Sequence, residues 1–311
     1  MAVVINTNVD SLKIQGSLTQ ATSKLSTSMQ RMSSGLKILS AKDDAAGTVI
    51  SARMKVQLNG NQTAQNNVQN ANALLSTAEG NLDVIEENIS RIRDLTLQAK
   101  NGTYSEEEIQ AMQDEVQERI EEINRVNSSA KYSQLQLFGD TADTGLATKG
   151  ATFQVGSDDG VDNTIKADAS LFSSVEFSAM TGAQSFNLVN IAKGGTGVTF
   201  GDPTSGTSSA ATYDSDAGET VFDQAIRALD NAIDDITSRK SVIGSAGNRM
   251  DSALDTLTTQ YENLSSANSL ITDADIAAEA SNFTQQQILQ QVSTSLLAQA
   301  NQAPSIALSL V

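Results

Sequence analysis

A chain of 311 residues with 20 basic and 37 acidic side chains carries a net charge of -17, and no stripe of Lys and Arg runs through it, which excludes binding to a phosphate backbone. Neither Cys nor His occurs, so thiol nucleophiles, imidazole acid–base groups and the usual zinc and haem ligands are all missing. Aromatic residues make up 4% and Trp is absent, leaving Ala, Leu, Ile and Val to build thin helix seams rather than a core of bulky rings. The length suits roughly two domains. The start, Met1-Ala2-Val3-Val4-Ile5-Asn6, is too short and polar for a signal peptide, and no apolar run reaches the ~18 residues of a membrane span. If the protein is secreted, it leaves without a cleaved leader.

The first predicted element is a helix over residues 5–36. Its apolar positions Leu18, Ala21, Leu25, Met29, Met32 and Leu36 step 3,4,4,3,4, a heptad with one four-residue stutter, on a Ser/Thr/Gln surface. Such a helix needs partners. Gly35 and then Ser40-Ala41-Lys42-Asp43-Asp44-Ala45-Ala46-Gly47 break it with a polar loop. A second helix follows over about 49–99, with the seam Ala64, Val68, Ala71, Leu75, Ala78, Leu82, Ile85, Ile89 and Ile92, and Asn101-Gly102 ends it. Ser105 with Glu108 forms a capping box, and Glu106 and Glu107 suit the helix dipole, so a third helix runs over about 106–127 with the face Ile109, Met112, Val116, Ile120 and Ile123.

From 139 to 218 the composition turns to Gly, Thr, Ser, Asp and Ala. Short alternating pieces such as Thr152-Phe153-Gln154-Val155 and Phe186-Asn187-Leu188-Val189 predict small strands between turns. A long helix over about 219–269 follows, roughly 75 Å at the usual rise. Its seam, from Phe222 through Ile243 to Ile271, alternates 4 and 3 without a slip and is apolar except at Lys240, Gly247 and Asn268, with Gly244 and Gly247 as weak points. The last predicted helix, over 273–302, carries Ile276, Ala280, Phe283, Ile288, Leu289, Val292, Leu296 and Leu297, and Pro304 is expected to stop it.

Asp43-Asp44 is a paired carboxylate, but after Ser40 it reads as helix capping rather than acid–base chemistry or a metal site. The clusters Asp158-Asp159-Gly160-Val161-Asp162 and Asp214-Ser215-Asp216 lack the spacing of a calcium loop. Zinc proteolysis through an H-E-x-x-H helix is impossible without His. No catalytic residue, cofactor or metal is expected.

Two signatures at opposite ends point to a family. Ile5-Asn6-Thr7-Asn8, Arg31-Met32-Ser33-Ser34-Gly35-Leu36-Lys37-Ile38 and Ser40 through Gly47 stand near the start; Asp273-Ala274-Asp275, Gln287-Ile288-Leu289-Gln290-Gln291 and Leu297-Ala298-Gln299-Ala300-Asn301-Gln302 stand near the end. In these stretches the chain resembles bacterial flagellin, the subunit of the flagellar filament. It departs from the family pattern at Leu39, where Asn is usual, at Thr48-Val49, where Leu-Ala is usual, and at Leu270, where Arg commonly precedes Ile271.

The resemblance implies a mainly α fold, a long antiparallel helical bundle or coiled coil of the N- and C-terminal segments with a small β-rich central region. Residues 1–44 and 270–311 would form the filament's inner tube, 45–140 and 217–269 an outer tube, and 141–216 a surface-exposed region of hairpins and loops. Leu18, Leu25, Met29, Met32, Leu36, Ile276, Phe283, Ile288, Leu289, Val292 and Leu296 are the expected polymerisation interface. The implied partners are further copies of the chain, an export chaperone, the type III export apparatus, and filament cap and hook-junction proteins, with neither nucleic acid nor membrane insertion. The implied location is the extracellular filament.

The stretch from Ser90 to Gln98 is similar to the part of flagellins bound by the flagellin-sensing Toll-like receptor, and Arg91, Leu95 and Glu115 are the expected contacts on one shared surface. Thr204, Ser205, Thr207, Ser208 and Ser209 are read as acceptors for O-linked sugars. A hook–filament junction or other axial protein is the alternative within the flagellum.

Overall fold

A computed structural model of the chain describes residues 8–138, 146–173 and 221–309, without the side chains of 221, 224 and 303–309. The expected strand around Phe186 and the acceptor residues Thr204 to Ser209 lie outside the described residues. The fold is mainly α. Among the described residues six helices occur, α1 Val9–Ser34, α2 Ala45–Lys100, α3 Glu106–Ser129, the single turn α4 Leu146–Lys149, α5 Val221–Thr272 and α6 Ile276–Ser309. The described residues also hold four short strands in two antiparallel hairpins: β1 Lys131–Tyr132 with β2 Leu135–Gln136, and β3 Ala151–Gln154 with β4 Thr164–Ala167.

The chain divides into two compact units, one of Gly60–Thr259 and one of Met1–Asn59 with Gln260–Val311. The larger unit holds the core. The α2 seam expected from Ala64 to Ile92 is buried throughout, against Ile120 and Ile123 of α3 and Leu229, Ile236, Ile243 and Met250 of α5. Asn72 bonds Asp251 at 2.8 Å, Glu86 meets Lys240 at 2.8 Å, Arg93 meets Asp230 and Lys100 meets Asp223. Rising numbers on α2 meet falling numbers on α5, so the two helices are antiparallel. Lys240, a polar member of the α5 seam, also reaches Asp83 at 2.6 Å, and a charged seam position of this kind fixes register.

Capping residues set the helix starts. Ser105 and Glu108 form the reciprocal box that the sequence predicts for α3. Helix α2 begins at Ala45, several residues before the expected start, because the Asp44 carboxylate accepts the Gly47 N–H at 2.9 Å.

In the smaller unit α1 packs on α6. The α1 positions turned inward are Ser11, Ile14, Leu18, Ala21, Leu25, Ser28 and Met32, an unbroken 3,4,3,4,3,4 pattern. The stutter read from the sequence is absent, because Ser28 occupies the seam and Met29 is 54% exposed. Facing them on α6 are Glu279, Phe283, Gln286, Gln290, Ser293, Leu297 and Ala300.

Helix α6 also differs from expectation at both ends. It starts at Ile276, since the Asp275 carboxylate caps the Ala277 and Ala278 N–H groups at 2.9 and 3.1 Å. It continues past Pro304 to Ser309. Proline has no N–H to offer the Ala300 carbonyl one turn back, and the Asn8 amide donates to that carbonyl instead, at 2.8 Å. The orphaned acceptor is thereby satisfied from α1, and the helix need not end.

Candidate functional site

Neither a cleft with convergent catalytic groups nor a metal cluster occurs among the described residues, and no helix there is long and apolar enough to cross a membrane. The candidate sites are surfaces. The first is the α1–α6 pair. Along its half-buried seam the two helices also make polar contacts: Asn8 to the Ala300 carbonyl, Ser11 to Asn301 at 2.9 Å, Gln290 to Thr22 at 3.3 Å, and Arg31 to Glu279 at 3.9 Å. Among the described residues of this unit, Ala21 is the one fully buried apolar side chain. Ile276, Ile288, Leu289, Val292 and Leu296 of α6 and Met29 of α1 are exposed, with Ile288 at 55%. Leu18, Leu25, Met32 and Phe283 are half-buried in the seam, so the expected interface residues fall on two different faces.

The heptad from Glu279 to Ala300 escapes a search for apolar periodicity because four of its seven members are polar. An apolar stripe marks a helix face to be buried, whether by the same chain or by another. Here the face of α6 turned to α1 is the mixed one, with Glu279, Gln286, Gln290 and Ser293 among Phe283, Leu297 and Ala300, and the more apolar stripe of α6 is left open.

The second candidate is the turn region between α1 and α2. Gly35 ends α1 in the left-handed conformation at φ 71°, which a side chain would disfavour, and its N–H donates to the Arg31 carbonyl at 2.8 Å. Leu36 then bridges Asp273, with the Lys37 N–H on the Thr272 carbonyl at 2.7 Å and the Ala274 N–H on the Gly35 carbonyl at 2.9 Å. The motifs around Gly35 and Asp273, far apart in sequence, are thus one hydrogen-bonded crossing. Asp43 accepts the Ser40 N–H at 3.0 Å, the Ser40 hydroxyl at 3.1 Å and the Leu39 N–H at 3.2 Å, and these bonds, the Ser40 N–H foremost, hold its carboxyl below the ordinary value. Of the pair, Asp44 caps α2 and Asp43 ties together the loop that precedes it. A groove of about 280 Å³ here is lined by Leu36, Leu39, Ala52 and Lys55. Leu270, one of the departures from the family pattern, is 83% exposed.

The third candidate is on α2 and α3. Arg91 forks onto Glu115 at 2.8 and 3.1 Å, and Arg119 lies 3.7 Å from the same carboxylate. The Arg91 hydrogen bond is the main reason that the Glu115 carboxyl is held below its usual range. Leu95 does not share this surface. It is 2% exposed, because the turn that keeps Arg91 at the rim of the α2–α3 seam carries Leu95 into it.

Residues 5–143 match the profile of the bacterial flagellin N-terminal helical region, and residues 226–311 that of the C-terminal helical region. The chain belongs to the flagellin family. It is 37% identical to a flagellin of Xenorhabdus nematophila over the whole of both chains, and 32% identical to a flagellin of Bacillus subtilis over 99% of each. Among solved structures, a putative flagellar hook-associated protein from Vibrio parahaemolyticus superposes with a TM-score of 0.52 at 16% identity, covering 74% of this chain and 99% of that one, a likeness of fold. As a flagellin the protein is a structural subunit of the extracellular flagellar filament and not an enzyme.

Proposed function

We propose that subunits polymerise through the apolar side chains that the α1–α6 pair leaves outside, and that folding of the chain ends is coupled to that assembly. The observation carrying this reading is the open stripe of Ile288, Leu289, Val292 and Leu296 beside an intramolecular seam in which Ala21 alone, among the described residues, is a fully buried apolar side chain. Burying such side chains against a neighbour is worth about 1.5–3 kcal/mol each at most. A unit with so little apolar core of its own gains its order from neighbouring copies. On this reading residues 1–44 and 270–311 line the inner tube, 45–140 and 217–269 the outer tube, and 141–216 the surface, where Thr204, Ser205, Thr207, Ser208 and Ser209 are the proposed sugar acceptors. Export through the type III apparatus, a chaperone on the C-terminal segment, and contacts with cap and junction proteins belong to the same proposal.

Removal of residues 273–311 tests it. The truncated chain is expected to keep the Gly60–Thr259 core folded, by circular dichroism, and to form no filaments on seeds; normal filament growth would defeat the reading. Growth of the full chain into micrometre filaments separates a filament subunit from a junction protein. For receptor recognition, the exposed ion pair Arg91–Glu115 supports a contact made by those two side chains, with Leu95 acting only by holding α2 in place. Arg91→Ala is expected to weaken a receptor reporter signal at unchanged helicity, and an unchanged signal would remove that part of the proposal.

A further inference from the structure

The sequence contains two Asn-Gly pairs, Asn59-Gly60 and Asn101-Gly102, and the fold treats them differently. The first lies inside α2, where the Gly60 N–H belongs to the helical ladder and a Cβ at Gly60 would come 2.8 Å from the Ser157 Cβ. The second lies beyond the last residue of α2, in the turn before Ser105, with residues 101–108 all exposed. In that turn the Asn101 N–H bonds the Gln98 carbonyl at 3.0 Å and the Thr103 N–H bonds the Asn101 carbonyl at 2.7 Å, while the Gly102 N–H donates to no carbonyl among the described residues. Nothing comes within 4 Å of a Cβ built at Gly102.

We propose that Asn101 is a site of spontaneous deamidation, selected over Asn59 by the fold. The Gly102 backbone nitrogen, having given up its proton to solvent, attacks the Asn101 Cγ. A carbon–nitrogen bond forms, the side-chain nitrogen leaves as ammonia, and a five-membered succinimide results. Water then opens either carbonyl of the ring, giving aspartate or isoaspartate at position 101. One water is consumed, one ammonia is released, and nothing is oxidised or reduced. The product adds a carboxylate beside the C-terminal end of α2, where the free helix carbonyls already disfavour negative charge. In its isoaspartate form it also adds a methylene to the main chain between α2 and the Ser105 cap. At Asn59 the same attack needs the helix interior to open, and the rate falls with the population of that open state.

The test is peptide mapping of the full folded chain after incubation in mildly alkaline buffer, reading by mass the fraction of amide converted to acid at each asparagine. Asn101 is expected to convert more than about a hundredfold faster than Asn59. Asn101→Gln should silence the signal at that site. Gly102→Ala should slow it at unchanged helicity, since no left-handed φ is required at Gly102. An Asn101 that stays an amide, or that converts no faster than Asn59, would overturn the inference.

Discussion

Asn8 stands at a point where two unrelated deficits are met by one side chain. Its Oδ1 accepts the Ser11 N–H at 3.0 Å and so caps α1, and its Nδ2 fills the Ala300 carbonyl that Pro304 leaves without a donor. In the assembled filament, where the chain ends are ordered, Asn8→Ala is therefore expected to cost about 1–2 kcal/mol, near the upper end for a cap, read as faster amide exchange at Ser11. Pro304→Ala supplies the missing N–H. In that background Asn8→Ala should cost less, with a coupling of at least about 0.5 kcal/mol in a double-mutant cycle; strict additivity would show that the Ala300 contact carries no energy. A second prediction concerns Glu115, whose folded carboxyl titrates below the ordinary 4.5 because Arg91 bonds its charged form. A depressed carboxyl contributes stability above the unfolded value and loses it as pH falls through the folded one. Wild type should thus exceed Glu115→Gln in urea resistance at neutral pH, and the gap should close in acid below 4.5. A gap that persists there would assign the difference to packing instead.

At the scale of the element, α5 runs unbroken through Gly244 and Gly247, and a Cβ at either position meets nothing within 4 Å. Neither glycine is needed for close approach within the subunit. Gly247→Ala is expected to stabilise the chain by about 0.5–1 kcal/mol through the lost flexibility of the unfolded state, measured by urea denaturation. A loss of stability would mean that the seam at that level has no room for a methyl group. The helices themselves were legible from local signals, because a capping box and a 3.5-residue period act within one or two turns of the chain. The Ser105–Glu108 box and the seam from Phe222 to Leu257 belong to this class, whereas Tyr261, further along the predicted seam, is exposed. The start of α2 at Ala45 was less legible, since Asp44 marks the cap only when the loop before it is seen to bond elsewhere, through Asp43.

Across the whole molecule, buried apolar side chains are concentrated in Gly60–Thr259, whereas the unit of Met1–Asn59 and Gln260–Val311 has Ala21 as its one such residue among those described. Local opening free energy follows buried apolar contact. Hydrogen exchange of the monomer is expected to show strong protection in α2 from Ala64 to Ile92 and weak protection along α1 and α6. Equal protection in both units would contradict the coupling of terminal order to assembly.

Sequence alone determined the family, through motifs at both ends, and the positions of the helix bodies, because periodicity and caps are properties of neighbouring residues. Only tertiary structure decided which face of each terminal helix turns inward. Adjacent residues on a helix differ by about 100° in direction, so the choice between Ser28 and Met29, or between the mixed and the more apolar stripe of α6, is made by the partner surface and not by the helix itself. The passage of α6 through Pro304 has the same origin: a carbonyl orphaned in one helix is answered by a side chain almost three hundred residues away, at a separation of 292.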